Sequence, residues 1–149
     1  MPISGHHPIG SPENPQRGAK QYMFLFRHGT WDEGLPVDEV NKIMDEVTGW
    51  FDSLVMQGKV IGGSPLVEGG KSIMMRNGQV AVMDGPFVES KEAVAGYLMV
   101  SFDSENEAVE AARTSPLFKH GLVTEVREVA SECPLYARLR ERTAAMAAV

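Results

Sequence analysis

Ser72-Ile73-Met74-Met75-Arg76-Asn77-Gly78-Gln79-Val80-Ala81-Val82-Met83-Asp84-Gly85-Pro86-Phe87 is the stretch on which the fold turns. Two apolar runs flank Asn77-Gly78, the residue pair best suited to the positive φ angles of a two-residue hairpin turn. The stretch therefore predicts an antiparallel hairpin whose second arm delivers the chain to Asp84-Gly85-Pro86-Phe87. There Asp offers a side-chain acceptor, Gly a permissive backbone, Pro a fixed φ without a donor, and Phe an apolar anchor. The segment reads first as a structural corner. It leads through Val88-Glu89-Ser90-Lys91-Glu92 to Gly96-Tyr97-Leu98-Met99-Val100-Ser101-Phe102, a run of buried-strand character.

Upstream, Tyr22-Met23-Phe24-Leu25-Phe26 is a second such run, apolar at every position, and it predicts a central strand covered on both faces. After a polar loop, Pro36 with Asp38 and Glu39 marks a helix start, because Pro suits the first turn and carboxylates suit the positive end of the helix dipole. Val40, Ile43, Met44, Val47, Trp50, Phe51, Leu54 and Val55 follow at spacings of three and four, an amphipathic stripe that Gly58 is placed to end. Val60 to Leu66 is β-prone but broken by Gly62, Gly63 and Pro65, so it predicts an irregular or edge strand. Beyond residue 102, Asp103-Ser104-Glu105 opens a short Ala-rich helix stopped at Ser115-Pro116. Leu122 to Val129 is the last strand, and Pro134 onward a terminal helix.

Strand, helix, strand, hairpin, strand, helix, strand is the order of an α+β ferredoxin-like antiparallel sheet, with helices on one face and an inserted β-hairpin. Strands as apolar as 22–26 and 96–102 leave a hydrophobic face uncovered in a single copy, so the expectation is a homodimer packing sheet on sheet. Residues 1–20, with Pro2, Pro8, Pro12 and Pro15 among Gly5, Gly10 and Gly18, resist helix and strand alike and read as an N-terminal arm. Residues 21–130 form the domain and 131–149 a C-terminal helical extension.

The 149 residues carry 43% hydrophobic side chains, enough for one core without disulfides or a structural metal. A formal charge of -6 and no run of Lys and Arg argue against direct nucleic-acid binding. Cys133 is the one cysteine, so no intrachain disulfide forms, and a reducing cytoplasm is the expected compartment. No stretch has the pattern of a signal peptide or a membrane span, and no membrane association is expected.

Several residues bear on chemistry, each with two readings. His28 closes the first strand, where it can serve as acid–base or ligand contact with Asp84 or Asp32 setting its tautomer, or can be a strand-end histidine bonded to backbone or a partner copy. Asp84 can be a general base or an acceptor for turn N–H groups. Glu89 and Lys91 can present a carboxylate and an ammonium to one small polar ligand, or form a solvated ion pair. Arg27 and Arg127 can clamp an anionic ligand or neutralise Glu125 or Asp84. Gly62-Gly63-Ser64 and Gly69-Gly70-Lys71 lack phosphate-loop spacing and read as turns. His6, His7, His28 and Asp32 give no metal-ligand spacing, so neither metal nor cofactor is expected. The candidate set is His28 and Asp84 for catalysis, with Arg27, Phe87, Glu89 and Lys91 for ligand contact.

Over about residues 22–129 the chain resembles the YCII-related family, specifically its DGPF branch of dimeric α/β-barrel proteins. The matching pieces are the Tyr22 to Phe26 strand, Gly62 to Leu66, Asp84-Gly85-Pro86-Phe87 with Glu89, Lys91 and Glu92, Gly96-Tyr97, Pro116, Gly121 and Glu125-Val126-Arg127. The resemblance implies a dimer whose two sheets form a barrel with a cleft in each half. It also implies a context of extracytoplasmic-function sigma factors. Better-described YCII members resemble enzymes with a His-Asp pair whose His opens the first long helix; Pro36, Val37 and Asp38 stand there in this chain, so that pair is not carried over. Glu128 replaces the Pro that usually follows Glu-Val-Arg. Two functions emerge: a homodimeric small-ligand-binding or regulatory module linked to transcription initiation, and a cofactor-independent acid–base enzyme of lyase or isomerase type acting on a small polar metabolite.

Overall fold

A computed structural model describes residues 19–85 and 93–148. The elements run β1 (Lys20–Arg27), α1 (Val37–Met56), β2 (Val60–Pro65), β3 (Lys71–Arg76), β4 (Gln79–Asp84), β5 (Val94–Phe102), α2 (Glu105–Arg113), a 3-10 turn (Phe118–His120), β6 (Val123–Glu128) and α3 (Pro134–Ala147). Four strands make one antiparallel sheet in the order β2-β5-β1-β6, and β3 and β4 pair separately as a two-stranded ribbon. With the ribbon set aside as an insertion, this is the ferredoxin-like order: the first and third core strands lie centrally and the second and fourth at the edges. Within one chain the sheet is open, not a closed barrel.

The central strands alternate because successive strand side chains point to opposite faces. Tyr22 and Phe24 of β1 pair with Val100 and Leu98 of β5, and all four are buried under Leu54 of α1 and Ala108 and Ala112 of α2. Both helices thus cover one face. Trp50 ties them together: its Nε1 donates to the Ala111 carbonyl at 3.2 Å and to Thr114 Oγ1 at 2.9 Å. The small Ala108 and Ala112 bring α2 close to the aromatic side chains of β1, which is why an Ala-rich helix belongs there.

The helix termini follow the sequence signals. Ser104 caps α2 by accepting from the Glu107 N–H at 3.2 Å, and the Glu107 carboxylate accepts from the Asp103 N–H at 3.1 Å. Gly58 stops α1, with the Lys59 N–H returning to the Leu54 carbonyl at 3.0 Å. Asn77 (φ 50°) and Gly78 (φ 78°) make the ribbon turn with positive φ at both centres, and the register from Lys71–Asp84 to Arg76–Gln79 is unbroken.

Two expectations need amending. The apolar stripe of α1 is wider than its buried face: Ile43 and Leu54 are buried, while Met44, Phe51 and Val55 form a second row that is exposed. The strand β1 is central but covered on one face only, for Met23 and Leu25 on the opposite side are half-buried. Among the described residues no helix is long and apolar enough to cross a membrane.

Candidate functional site at the open sheet face and the end of β1

The face of the sheet opposite the helices carries Met23 and Leu25 of β1, directly across from Met99 and Tyr97 of β5 and from Arg127 and Glu125 of β6. At its corner Arg27 reaches diagonally along β6, and its Nη2 donates to Glu125 Oε2 at 2.8 Å. Arg127, two residues along the same strand, donates from Nη1 to Glu125 Oε1 at 3.1 Å. The hydrogen bond from Arg27, then that from Arg127, holds the Glu125 carboxyl below the ordinary glutamate range. Of the two readings open for Arg27, the structure displays the Glu125 partnership.

One residue on, the β1–β5 pairing shifts register between Phe26 and Arg27, and His28 takes a left-handed φ of 66°. A non-glycine residue in that region costs of order 1 kcal/mol or more and survives only where its surroundings hold it. Gly121 is part of what surrounds it. A Cβ placed on Gly121 would lie 3.3 Å from His28 Cδ2 and 3.4 Å from Nε2, so the imidazole lies against the bare glycine. Next along, His120 faces Trp31 with ring centroids 5.9 Å apart, and its Nε2 is buried with no hydrogen-bond partner among the described residues. Sequence reading passed over His120 and Trp31, because a histidine in a loop before Gly121 has no periodic or motif signal. Only the meeting of the β1 exit with the β6 approach brings the His28 imidazole against Gly121.

Asp84 ends β4, well exposed, and its carboxylate pairs with Lys71 across the base of the ribbon. That bond, rather than one to His28, is what the structure gives it. Asp32 sits exposed in the turn after β1, where its carbonyl accepts from the Leu35 N–H at 3.1 Å. Phe87, Glu89 and Lys91 lie outside the described residues, as do His6 and His7. Among the described residues no group of three or more His, Cys, Asp and Glu is placed to hold a metal ion. A surface groove of about 630 Å³ runs along α3, lined by Glu132, Tyr136, Leu139 and Arg140 among others. It has no strand residue in its lining.

A family model described as the YCII-related domain matches residues 21–137, from the second residue of β1 into α3. The chain belongs to the YCII-related family. Among solved structures, this YCII-related chain is similar to the 5-chloro-2-hydroxyhydroquinone dehydrochlorinase from Burkholderia phenoliruptrix AC1100 in complex with 2,5-dihydroxybenzoquinone. The identity is 14%, over 74% of this chain and 93% of that chain, with a TM-score of 0.39. No curated protein matches.

Proposed function

We propose that this YCII-related protein is a homodimer of the DGPF branch, its two open sheet faces turned toward each other to form the barrel, with a small polar ligand held between them. In this reading it is a ligand-binding or regulatory module of the cytoplasm, linked to transcription initiation by the sigma-factor context that its sequence resemblance implies. The observation that carries the proposal is the open face itself. Met23, Leu25, Tyr97 and Met99 form a half-buried apolar platform with both α1 and α2 packed on the other side, and such a platform is stabilised by a second copy. Cytoplasmic placement rests on the single, exposed Cys133 and its free thiol. Native mass spectrometry of freshly purified protein tests the reading, because it reports subunit number and retained ligand together. A dimer mass with an added small mass is expected; a monomer across micromolar concentrations would sink it.

A second reading, acid–base chemistry at His28 without a cofactor, is favoured by one local observation. Backbone strain at His28 and an unsatisfied imidazole nitrogen on His120 coincide at one strand end, and both features concentrate where a site is built for more than packing. Alanine substitution at His28, Asp84 and Glu89, followed by a metabolite thermal-shift screen, tests it. Ligand responses identical to those of the wild type would remove this reading.

A further inference from the structure

Two exposed helix faces of this chain complement each other in pattern and in charge. In α1, Val37, Asn41, Met44, Thr48, Phe51 and Val55 recur at alternating spacings of four and three, the seven-residue repeat of a helix-pairing seam. All six are exposed, because the core takes the neighbouring row that holds Ile43 and Leu54. Asp38, Asp45 and Asp52 each follow directly on Val37, Met44 and Phe51. At 3.6 residues per turn, a carboxylate therefore flanks the seam in every repeat, on the side away from the core.

In α3, Tyr136, Leu139, Thr143 and Met146 keep the same repeat, and all four are exposed. The groove of about 630 Å³ along this helix is lined by the first three. Arg140 and Arg142 flank the seam, one on each side. Arg140 Nη1 donates to Glu132 Oε2 at 3.2 Å, while Arg142 and the three aspartates make no ion pair among the described residues. As whole helices, α1 carries five carboxylates against one lysine, and α3 three arginines against one glutamate. Pairing α1 with α1, or α3 with α3, sets like charges side by side; pairing α1 with α3 unites opposite ones.

We propose that the α1 seam is the docking surface for α3 of a second copy, in a reciprocal exchange in which each copy lends its own α3 and receives its partner's. Within one chain both helices are formed and both seams stay exposed, so the fold of a single copy does not join them. The helix α3 departs from β6 at one edge of the sheet, and α2 occupies the helical side next to that edge, seated on β6 and β5. A two-fold pair satisfies both seams at once and leaves none over. The exchange uses the helical side of the fold, whereas sheet-on-sheet pairing uses the opposite side, so neither depends on the other.

Charge reversal in the full chain tests the exchange. One variant carries Asp45→Arg with Asp52→Arg, the other Arg140→Glu with Arg142→Glu; all four positions are exposed, and circular dichroism checks that each variant folds. Sedimentation velocity across a dilution series reads association. Each variant alone is expected to self-associate about tenfold more weakly than wild type, because both of its contacts set like charges together. An equimolar mixture should recover wild-type association, since in the mixed pair each seam again meets its opposite charge. Unchanged association in the two separate variants would overturn the exchange and leave sheet-face pairing standing. Weakening that mixing does not repair would overturn it as well. If a single chain bearing all four reversals were then restored while the mixture was not, α3 would belong on the α1 of its own chain.

Discussion

The imidazole of His28 fills the space that a side chain at position 121 would need, 3.3–3.4 Å from where the Cβ would stand. Gly121 itself has φ +94°, a conformation in which an L side chain is strained whatever the space. Gly121→Ala should therefore cost about 1–3 kcal/mol and displace the His28 ring. Urea denaturation reads the first effect, and the His28 side-chain shifts in an imidazole-detected NMR spectrum read the second. An alanine variant as stable as wild type, with unmoved His28 signals, would show that the ring does not depend on the glycine.

Adjacent glycines in β2 should behave unlike each other. A Cβ on Gly63 would meet the Tyr97 carbonyl oxygen at 2.5 Å and Leu98 Cα at 2.9 Å, whereas one on Gly62 meets nothing within 4 Å among the described residues. Since the obstructing atoms at Gly63 are backbone, the β2–β5 pair must separate. Gly63→Ala is expected to cost about 3 kcal/mol by overpacking, and Gly62→Ala to stay within about 0.5 kcal/mol. Chemical denaturation of the two variants side by side decides it, and similar midpoints would contradict the close approach.

Trp50 fastens α1 to the end of α2 through Ala111 and Thr114. Trp50→Phe retains most of the ring and loses the donor, so the expected cost is about 1 kcal/mol for the bonds, with some added loss from the smaller ring. In a double-mutant cycle with Thr114→Val the two changes should be non-additive, because they share one hydrogen bond. Strict additivity in thermal unfolding would mean that the bond contributes nothing measurable.

The charged corner also gives a pH dependence with a definite sign. Arg27 and Arg127 depress the folded-state pKa of Glu125 below its ordinary value of 4.5. The stabilisation is therefore present above the unfolded-state pKa and is lost as pH falls through the lower, folded-state value. The stability gap between wild type and Glu125→Gln should be constant from neutral pH down to about pH 5, then shrink in more acidic solution. Denaturation series at several pH values check this, and a gap that widened on acidification would reverse the assignment.

The ribbon makes a prediction about assembly. Ile73, Met75, Val80 and Val82 lie on one face of β3–β4, cross-paired as Ile73–Val82 and Met75–Val80, and they are 62–69% exposed. An isolated two-stranded ribbon is marginal in water, and four aliphatic side chains on one face favour cover by another surface. Under the homodimer proposal, Ile73→Lys together with Val82→Lys should weaken association at least about tenfold without unfolding the core, since among the described residues the ribbon shares no backbone pairing with the main sheet. Light scattering across a dilution series measures it; undiminished association would place the interface elsewhere.

Much of this fold was legible in the chain because its signals are local. Asn77-Gly78 names its own turn, Ser104 with Glu107 its own cap, and Gly58 its own helix stop. The site was harder to see. Arg27 was singled out beside a strand, but its bond to Glu125 depends on the β1–β6 register, which joins residues 98 positions apart. His28 was visible as the end of a strand, whereas its contact with Gly121, and that of His120 with Trp31, depend on how distant segments meet. The excess width of the α1 stripe had the same origin. Helical periodicity marks Met44, Phe51 and Val55 as apolar, and only packing decides that Ile43 and Leu54 turn inward while those three stay exposed.

By itself, then, the sequence determined the elements, their order and the ribbon turn, since each follows from backbone preferences and apolar spacing within a few residues. The tertiary structure alone decided which sheet face is left open, which carboxylate two arginines share, and which histidine rests on Gly121. Those depend on strand register and helix packing, where a shift of one residue sends every side chain to the opposite face.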